Sequence, residues 1–326
     1  MLRLPRALPV VALAAAIALA ACSDAPTPLA PRTPAPSLDE SGGDGGAITI
    51  GTPRIFETRD VAASHDLGPV QAATVNGINY HGGRVLTSFT NVAAVYWATS
   101  AVYSGGPAPG THGAGSADGS LVGFFLRNLG GSPYFGINTT YYNAAGTHVA
   151  NIVNYTQYWA NNSYSVPSGT QSVSDAAMVG MLQYAFNHGL LTYDPNTLYA
   201  IFTPGKVNLG GGFGTQYCAY HNDATLTVNG VTRTVLYAAM PYDYAYPSAC
   251  TNGTKSPNND PGADAEVNTL AHETEETTTD PLGTAWWRTS NGYENADLCA
   301  WTWGPTFTTS NGGLANMTLG GKNFLV

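Results

Sequence analysis

The chain has 326 residues and a net charge of −9, yet only 10% of its residues are charged. This acidic balance argues against nucleic acid and anionic lipid surfaces as partners. Gly, Asn, Thr, Ser and Tyr are abundant, a composition that suits an exported protein kept soluble by uncharged polar groups.

The N-terminus carries the features of an export signal. Arg3 and Arg6 precede an apolar run over residues 8–19, which is too short to span a membrane permanently. The following Leu-Ala-Ala-Cys22 resembles the bacterial lipobox, after which Cys22 is acylated. Residues 1–21 are therefore predicted to be a lipoprotein signal peptide. The mature protein is then exported and held on a membrane only by its lipid, facing the periplasm or cell surface; the alternative is an ordinary cleaved signal with an incidental Cys22.

A Pro-, Gly- and Ser-rich stretch follows the signal. Residues 22–70 are interpreted as a flexible tether and a lead-in to the folded part, because such a composition offers no core. Residues 71–326 are long enough to bury a sizeable core as one domain. The sequence does not indicate an oligomeric state.

Apolar patterning in residues 71–326 predicts a mixed α/β (α+β) fold. The predicted elements are a buried strand at 91–97, a helix at 121–129, a helix between an N-cap at Ser174 and a stop at Gly189, a strand at 198–202, and hairpin strands at 225–228 and 231–239 around Asn229-Gly230. A central sheet in front of a zincin-like helix, with an irregular C-terminal part, is the expected assembly.

Three cysteines lie in the folded region. Cys218 and Cys250 bracket the hairpin, so one disulfide between them is the simplest prediction, although Cys299 could replace either partner. A zinc-ligand pair of Cys218 and His221 is the alternative, but no second such pair accompanies it.

The predicted helix after residue 262 contains His272-Glu273-Thr274-Glu275-Glu276, an HExxE pattern. His272 and Glu276 are one helical turn apart and project from one face, so they can share a metal ion. Glu273 is rotated by about 100° and would sit beside that ion, where a general base for water activation belongs.

Two further acidic residues follow the HExxE pattern at a sequence spacing that suits this site. Glu294 follows Glu276 after seventeen residues, the approximate spacing of the third ligand in glutamate-type zinc peptidases, and Asp297 would orient His272 from behind. His221 is a candidate for oxyanion stabilisation, a further metal neighbour, or only a hydrogen-bonded structural residue. The imidazole favours zinc over calcium, which would use the acids without a histidine.

A solvated acidic helix face is the plainer interpretation of the same pattern. It would account for Glu275 and Glu266 but not for a histidine in matching position, nor for the return of Glu294 and Asp297. Against a background of 10% charged residues, the crowding of acids into residues 266–297 favours a bound metal.

Several spaced motifs resemble the EXORDIUM-like, phosphate-induced protein family, over roughly residues 79–326. The motifs are Tyr80-His-Gly-Gly-Arg-Val-Leu86 with the strand at 91–97, Cys218-Ala-Tyr-His221, and Gly320-Gly-Lys-Asn-Phe-Leu-Val326. The resemblance implies an exported protein, but the family has no settled biochemical activity. The plant pattern is apolar at the HExxE helix, so the motif is interpreted as a feature of a bacterial branch.

Two functions from different classes are compatible with these features. The first is a zinc-dependent hydrolase, most simply a peptidase, in which His272, Glu276 and Glu294 hold the metal, Glu273 is the base and His221 assists; its substrate would be a peptide or a cell-wall polymer. The second is a non-catalytic wall- or glycan-binding protein with a structural metal or none. Its sugar platforms would come from Trp286, Trp287, Trp301 and Trp303.

Overall fold

The computed structural model describes residues 48–64, 77–164, 166–167, 171–252 and 255–326. The predicted signal peptide, Cys22 and most of the predicted tether lie outside these residues. Within them, no helix combines the length and the apolar character needed to cross a membrane.

The helices are interspersed among the strands along the chain. The α-helices are Arg59–Ser64 (α1), Leu121–Leu129 (α2), Asp175–Asn187 (α3), Pro247–Cys250 (α4) and Pro261–Thr279 (α5). The strands are Thr49–Ile50 (β1), Arg54–Glu57 (β2), Ile78–Tyr80 (β3), Thr90–Trp97 (β4), His112–Ala114 (β5), Val153–Asn161 (β6), Thr197–Phe202 (β7), Tyr217–Val228 (β8), Val231–Met240 (β9), Trp286–Arg288 (β10), Phe307–Thr308 (β11), Leu314–Ala315 (β12), Met317–Leu319 (β13) and Lys322–Phe324 (β14). Short 3-10 helices cover Gly115–Ala117, Phe135–Thr140, Asp243–Ala245 and Asp297–Cys299.

An eight-stranded mixed sheet forms the centre of the fold. Its order is β1-β8-β9-β7-β4-β6-β5, and β2 also pairs with β8, beside β1. The four inner strands β9, β7, β4 and β6 run parallel to one another, whereas the β8–β9 hairpin and the outer pairs are antiparallel. The structure thus confirms the predicted mixed α/β class and the sheet in front of the HExxE helix.

Two apolar cores lie on opposite faces of this sheet. Alternate residues of each strand point to opposite faces, so Val92, Ala94 and Tyr96 of β4 join one core with α2 and α5. Ala93, Val95 and Trp97 join the other core with α3. The sheet is therefore sandwiched between helices, and α5 lies against the face to which Ala219 of β8 belongs.

The predicted elements correspond closely to the observed ones where the pattern was local. Helix α2 has the predicted bounds, and α3 begins after Ser174, whose hydroxyl accepts from the Ala177 backbone N–H. The hairpin turns at Asn229 and Gly230, both with positive φ. Strand β6 and the first half of β8 were not predicted.

The predicted lead-in before residue 71 contains ordered structure. Strands β1 and β2 pair antiparallel with β8, and α1 follows them. Residues with little core-forming potential of their own are ordered here because they add hydrogen-bonded strands to an existing sheet edge.

A disulfide links Cys218 and Cys250, as predicted. It ties the start of β8 to α4, and Phe56 packs against both sulfur-bearing residues. This pairing removes Cys218 as a thiolate and with it the alternative of a Cys218–His221 zinc pair.

Candidate metal centre

Helix α5 is buried along nearly its whole length although its sequence is polar. His272, Glu273, Glu275 and Glu276 are each at most 4% exposed. Two threonines of the helix satisfy their hydroxyls locally, since Thr274 and Thr278 donate to the carbonyls of Leu270 and Thr274. The carboxylates cannot do this, and buried charges persist only when they are paired or bind a cation.

Three ligand atoms converge beside His272. Its Nε2 lies 3.1 Å from Glu276 Oε1 and 3.7 Å from Asp297 Oδ1, and the three residues form a group whose ligand atoms all lie within 4.8 Å of one another. His272 Nε2 is buried without a hydrogen-bond partner.

These spacings fit a tetrahedral zinc ion. Zinc bonds of about 2.0–2.2 Å to nitrogen and oxygen place neighbouring tetrahedral ligands roughly 3.3–3.6 Å apart. The two distances from His272 Nε2, 3.1 and 3.7 Å, lie close to that range, and the two carboxylate ligand atoms lie within 4.8 Å of each other. The residues present therefore fit a zinc ion with one nitrogen and two carboxylate ligands.

The backbone fixes the carboxylate of Asp297 relative to the helix. The Asp297 N–H donates to Glu276 Oε1 at 3.0 Å, and Asp297 Oδ2 accepts from the Glu294 N–H at 3.0 Å. The 3-10 turn that begins at Asp297 is thus attached directly to α5, and the two carboxylates are preorganised toward His272.

His221 and Glu273 form a second, adjoining unit. His221 lies on β8 two residues after Ala219, so its ring points toward α5. Its Nδ1 lies 2.9 Å from Glu273 Oε2, and its Nε2 accepts from Arg54 Nε at 2.8 Å. This network assigns the proton to Nδ1 and makes His221 the donor to Glu273. The other Glu273 oxygen, Oε1, has no hydrogen-bond partner.

Glu294 contacts this second unit rather than His272. Glu294 Oε2 lies 3.3 Å from His221 Nε2, and Oε1 lies 3.6 Å from Arg54 Nε. His221, Glu276 and Glu294 also form a group of converging ligand atoms. However, the shortest approaches involve different ring nitrogens: Glu276 Oε2 lies 3.6 Å from Nδ1 of His221, and Glu294 Oε2 lies 3.3 Å from Nε2. With Arg54 donating to Nε2, this group fits a metal less well than the first.

The arrangement redistributes two roles that the sequence suggested. The metal ligands predicted from spacing were His272, Glu276 and Glu294, with Asp297 behind His272. In the structure Asp297 stands beside His272 and Glu276, whereas Glu294 lies beside His221. The sequence spacing does not reveal this exchange of roles. Both acids follow β10 within a few residues, and only the path of the chain there decides which of them lies beside His272.

Burial and mutual repulsion shift the pKa values of the cluster. Burial raises the pKa of Glu273, Glu276 and Glu294, and the neighbouring carboxylates raise them further. Burial lowers the pKa of His272, but the carboxylates of Glu276 and Asp297 outweigh it and hold that pKa well above its usual value. The cluster therefore favours gain of positive charge, which a divalent cation would supply.

A buried acid pair lies away from the metal ligands. It consists of Glu266, near the start of α5, and Asp243, in the 3-10 helix Asp243–Ala245. Burial raises the pKa of Glu266 to about 8, and the pKa of neighbouring Asp243 is raised by burial and by Glu266. Thr269 donates a hydrogen bond to Asp243. Folding therefore keeps a proton on Glu266 that the unfolded chain releases near its ordinary pKa of 4.5.

Stability should consequently fall as the pH rises from about 4.5 to 8, because the folded state binds more protons than the unfolded state over that interval. We expect Glu266→Gln, which keeps the size of the side chain, to make this decline shallower. Urea unfolding of both proteins at pH 5 and pH 8 measures the difference. Equal declines would show that Glu266 ionises alike in both states.

Aromatic side chains cover the site on its outer side. The Phe56 ring lies 4.3 Å from the His272 ring and 4.9 Å from the Trp301 ring, centre to centre. Phe56 and Arg54, which both belong to β2, were not singled out from the sequence. They come from a segment more than 200 residues before α5, and no local pattern marks such a contact.

The tryptophans proposed as sugar platforms pack against different neighbours. Trp286 is buried and packs against Tyr141 and Tyr142. Trp287 stacks on His81, whereas Trp301 and Trp303 contact each other. Trp301 also donates to the backbone of Glu57, so part of this aromatic set serves packing around β2.

No curated protein and no solved structure matches the chain. The family model of the phosphate-induced protein 1 conserved region matches residues 131–322, which is more than half of the chain and includes α5, His221, Glu294 and Asp297. On this match, the chain belongs to the phosphate-induced protein 1, or EXORDIUM-like, family.

Proposed function

We propose that this protein is a zinc-dependent hydrolase whose most suitable substrates are peptides. One observation carries the proposal: His272 Nε2, Glu276 Oε1 and Asp297 Oδ1 converge at distances suited to zinc, next to a glutamate on the same helix. A buried set of one imidazole and two carboxylates is a donor set that zinc accepts.

The residues around this donor set supply the other catalytic roles. A zinc ion held there supplies Lewis acidity toward a carbonyl oxygen. Glu273 takes a proton from the attacking water through Oε1, since its Oε2 is engaged by His221. His221 orients Glu273 through Nδ1, and its Nε2 lies 3.3 Å from Glu294 Oε2.

Two carboxylate ligands reduce the net charge of the bound ion. A zinc ion neutralised in this way is a weaker Lewis acid than one held by two histidines. We therefore expect slow turnover compared with enzymes that use an HExxH helix.

The site of action proposed here is the cell envelope. The N-terminal sequence supports export and acylation of Cys22. Residues 1–22 lie outside the described part of the chain. The disulfide between Cys218 and Cys250 supports an oxidising compartment, because such bonds are rare in reducing ones.

Hydrolysis is tested with zinc-supplied protein and a mixture of synthetic peptides of randomised sequence. We expect slow appearance of new peptide N-termini by mass spectrometry, its loss on chelation, and its return when zinc is restored, because the metal is required for carbonyl activation. Cleavage that persists after chelation would contradict the proposed mechanism. Absence of cleavage by protein that holds zinc would remove the hydrolase function.

A structural metal is a second candidate, and the burial of the site favours it. The side chains of His272 and Asp297 are 5% and 7% exposed, and the other members of the cluster are less exposed. In that case zinc would join the turn at Asp297 to α5, and Glu273 would have no catalytic task. Glycan binding at the protein surface would then be sought with cell-wall polymers in pull-down assays.

A further inference from the structure

Strand β2 lies along the edge of β8 that borders the metal centre. It pairs antiparallel, with Arg54 opposite His221 and Phe56 opposite Ala219. Because side chains alternate along a strand, Arg54 and Phe56 project to the same side, toward α5. Ile55 between them packs with the opposite core.

Arg54 occupies a pocket with acidic and carbonyl groups around its guanidinium. Besides its hydrogen bond to His221, Arg54 Nη2 donates to the Pro281 carbonyl at 3.3 Å and lies 3.9 Å from Asp223 Oδ1. Its Nε lies 3.6 Å from Glu294 Oε1. These partners come from β8 and from the loops after α5, so the fold itself builds a receptor for a basic side chain.

Gly283 shapes the wall of this pocket. A Cβ atom at Gly283 would lie 2.6 Å from Arg54 Nη1, closer than such contacts occur. Gly283 also has a φ of +66°, which favours glycine. The absence of a side chain at this position leaves the space that the guanidinium fills.

Phe56 fills the adjoining space over the metal centre. It is 1% exposed and packs between the His272 and Trp301 rings and against the disulfide. The next residue is held as well: the Glu57 carbonyl accepts from Trp301 Nε1, and its carboxylate accepts from the Tyr293 hydroxyl.

We propose that the β8 edge is a binding site for an extended polypeptide that carries a basic residue and, two positions later, an aromatic residue. In this structure the chain's own Arg54–Glu57 occupies the site and covers the metal centre. Strand addition of this kind uses backbone pairing for affinity and side-chain pockets for selectivity. That the bound polypeptide is also the substrate rests on the hydrolase function proposed above.

The segment and most of the residues that receive it come from different parts of the chain. Residues 49–57 precede the family-matched region, whereas Asp223, Pro281, Gly283 and Glu294 lie within it. A tethered segment competes at an effective concentration in the millimolar range for short linkers. A free peptide therefore gains access only when the chain's own segment is weakened.

The test uses full-length protein and a fluorescent peptide of residues 48–64, followed by anisotropy in the presence of a chelator. The wild type should bind this peptide poorly. Arg54→Glu in the protein places a carboxylate among Asp223 and Glu294, so the segment should leave and the peptide should bind at least about tenfold more tightly. The same substitution in the peptide should abolish that gain.

Arg59→Glu is the matched control, since it makes the same charge change in the same segment. Its guanidinium lies over the Trp301 ring, outside the acidic pocket, so this variant should bind the peptide as the wild type does. If Arg54→Glu does not fold, as judged by near-UV circular dichroism, Arg54→Ala replaces it in the same assay.

Equal peptide binding by the wild type and the folded Arg54 variant, or binding by neither, would overturn the proposal. A gain that Arg59→Glu shares would overturn the pocket assignment. Because the chelator removes zinc from every sample, these results are independent of metal binding and hydrolysis. The binding site and the hydrolase function can therefore fail separately.

Discussion

Replacing Glu273 by Gln should lower the rate of peptide hydrolysis by about 10²–10⁴-fold while the zinc content stays at the wild-type value. Gln keeps the size of the side chain, and its amide oxygen can still accept from His221 Nδ1, the contact seen at 2.9 Å. What it loses is the ability to take a proton from water. Rates come from the peptide-cleavage assay, and zinc content comes from elemental mass spectrometry on the same samples.

Glu275→Gln is the matched control for this substitution. It makes the same chemical change on the same helix, two residues away. Glu275 lies near Tyr134 and Tyr141, whose pKa values are raised mainly by burial and further by the charge of Glu275. His272 and Glu276 act on the pKa of Glu275 through their charges, not through hydrogen bonds to it. We expect near-wild-type hydrolysis from this variant. Full activity in Glu273→Gln would remove Glu273 as the base, and equal losses in both variants would indicate a general effect on α5.

Zinc affinity should separate the two acids that follow α5. Asp297→Asn should weaken binding by more than the roughly 10- to 100-fold typical of losing an outer-shell partner, because the structure places Asp297 Oδ1 beside His272 Nε2. Glu294→Gln should stay within or below that range, since Glu294 contacts His221 and Arg54. Competition with a chromogenic zinc chelator measures both dissociation constants.

Asp297→Asn and Glu294→Gln serve as controls for each other, because each replaces a carboxylate by the matching amide. The opposite ranking, with Glu294→Gln the more damaging, would favour the ligand set of His272, Glu276 and Glu294 suggested by sequence spacing. Equal and small effects would indicate that neither acid binds the metal.

Local pattern in the sequence was sufficient for the elements that carry it. Helix α2 has its apolar stripe between Ser120 and Gly130, and α3 has its N-cap at Ser174. The hairpin turn at Asn229-Gly230 requires positive φ at both positions, which these residues tolerate. In each case the residues that decide the structure are neighbours in the chain.

Strand β6 shows where such reasoning fails. It was not predicted, because the alternation of apolar and polar residues at its start, Val153 to Thr156, is not sustained through the rest of the strand. It forms because it pairs parallel to β4 over its length. Long-range pairing of this kind decides the structure of segments whose own preferences are weak.

In the candidate site, too, some contacts follow from local sequence pattern and others depend on long-range packing. The relation between His272, Glu273 and Glu276 follows from helical geometry, and the helix is present over Pro261–Thr279. The placement of His221 against Glu273, and of Asp297 against His272, depends on how β8 and the loop after β10 pack on α5. Arg54 reaches the site only because β2 pairs with β8.

The measurement closest to the central claim is the zinc content of the purified protein, compared among the wild type, His272→Ala and His81→Ala. His81 is exposed and stacks on Trp287, so its variant controls for the loss of any histidine. We expect about one zinc per chain in the wild type and in His81→Ala, and none in a folded His272→Ala, if zinc binds at His272. Absence of zinc from wild-type protein supplied with zinc at neutral pH, or its retention in His272→Ala, would contradict zinc binding at His272.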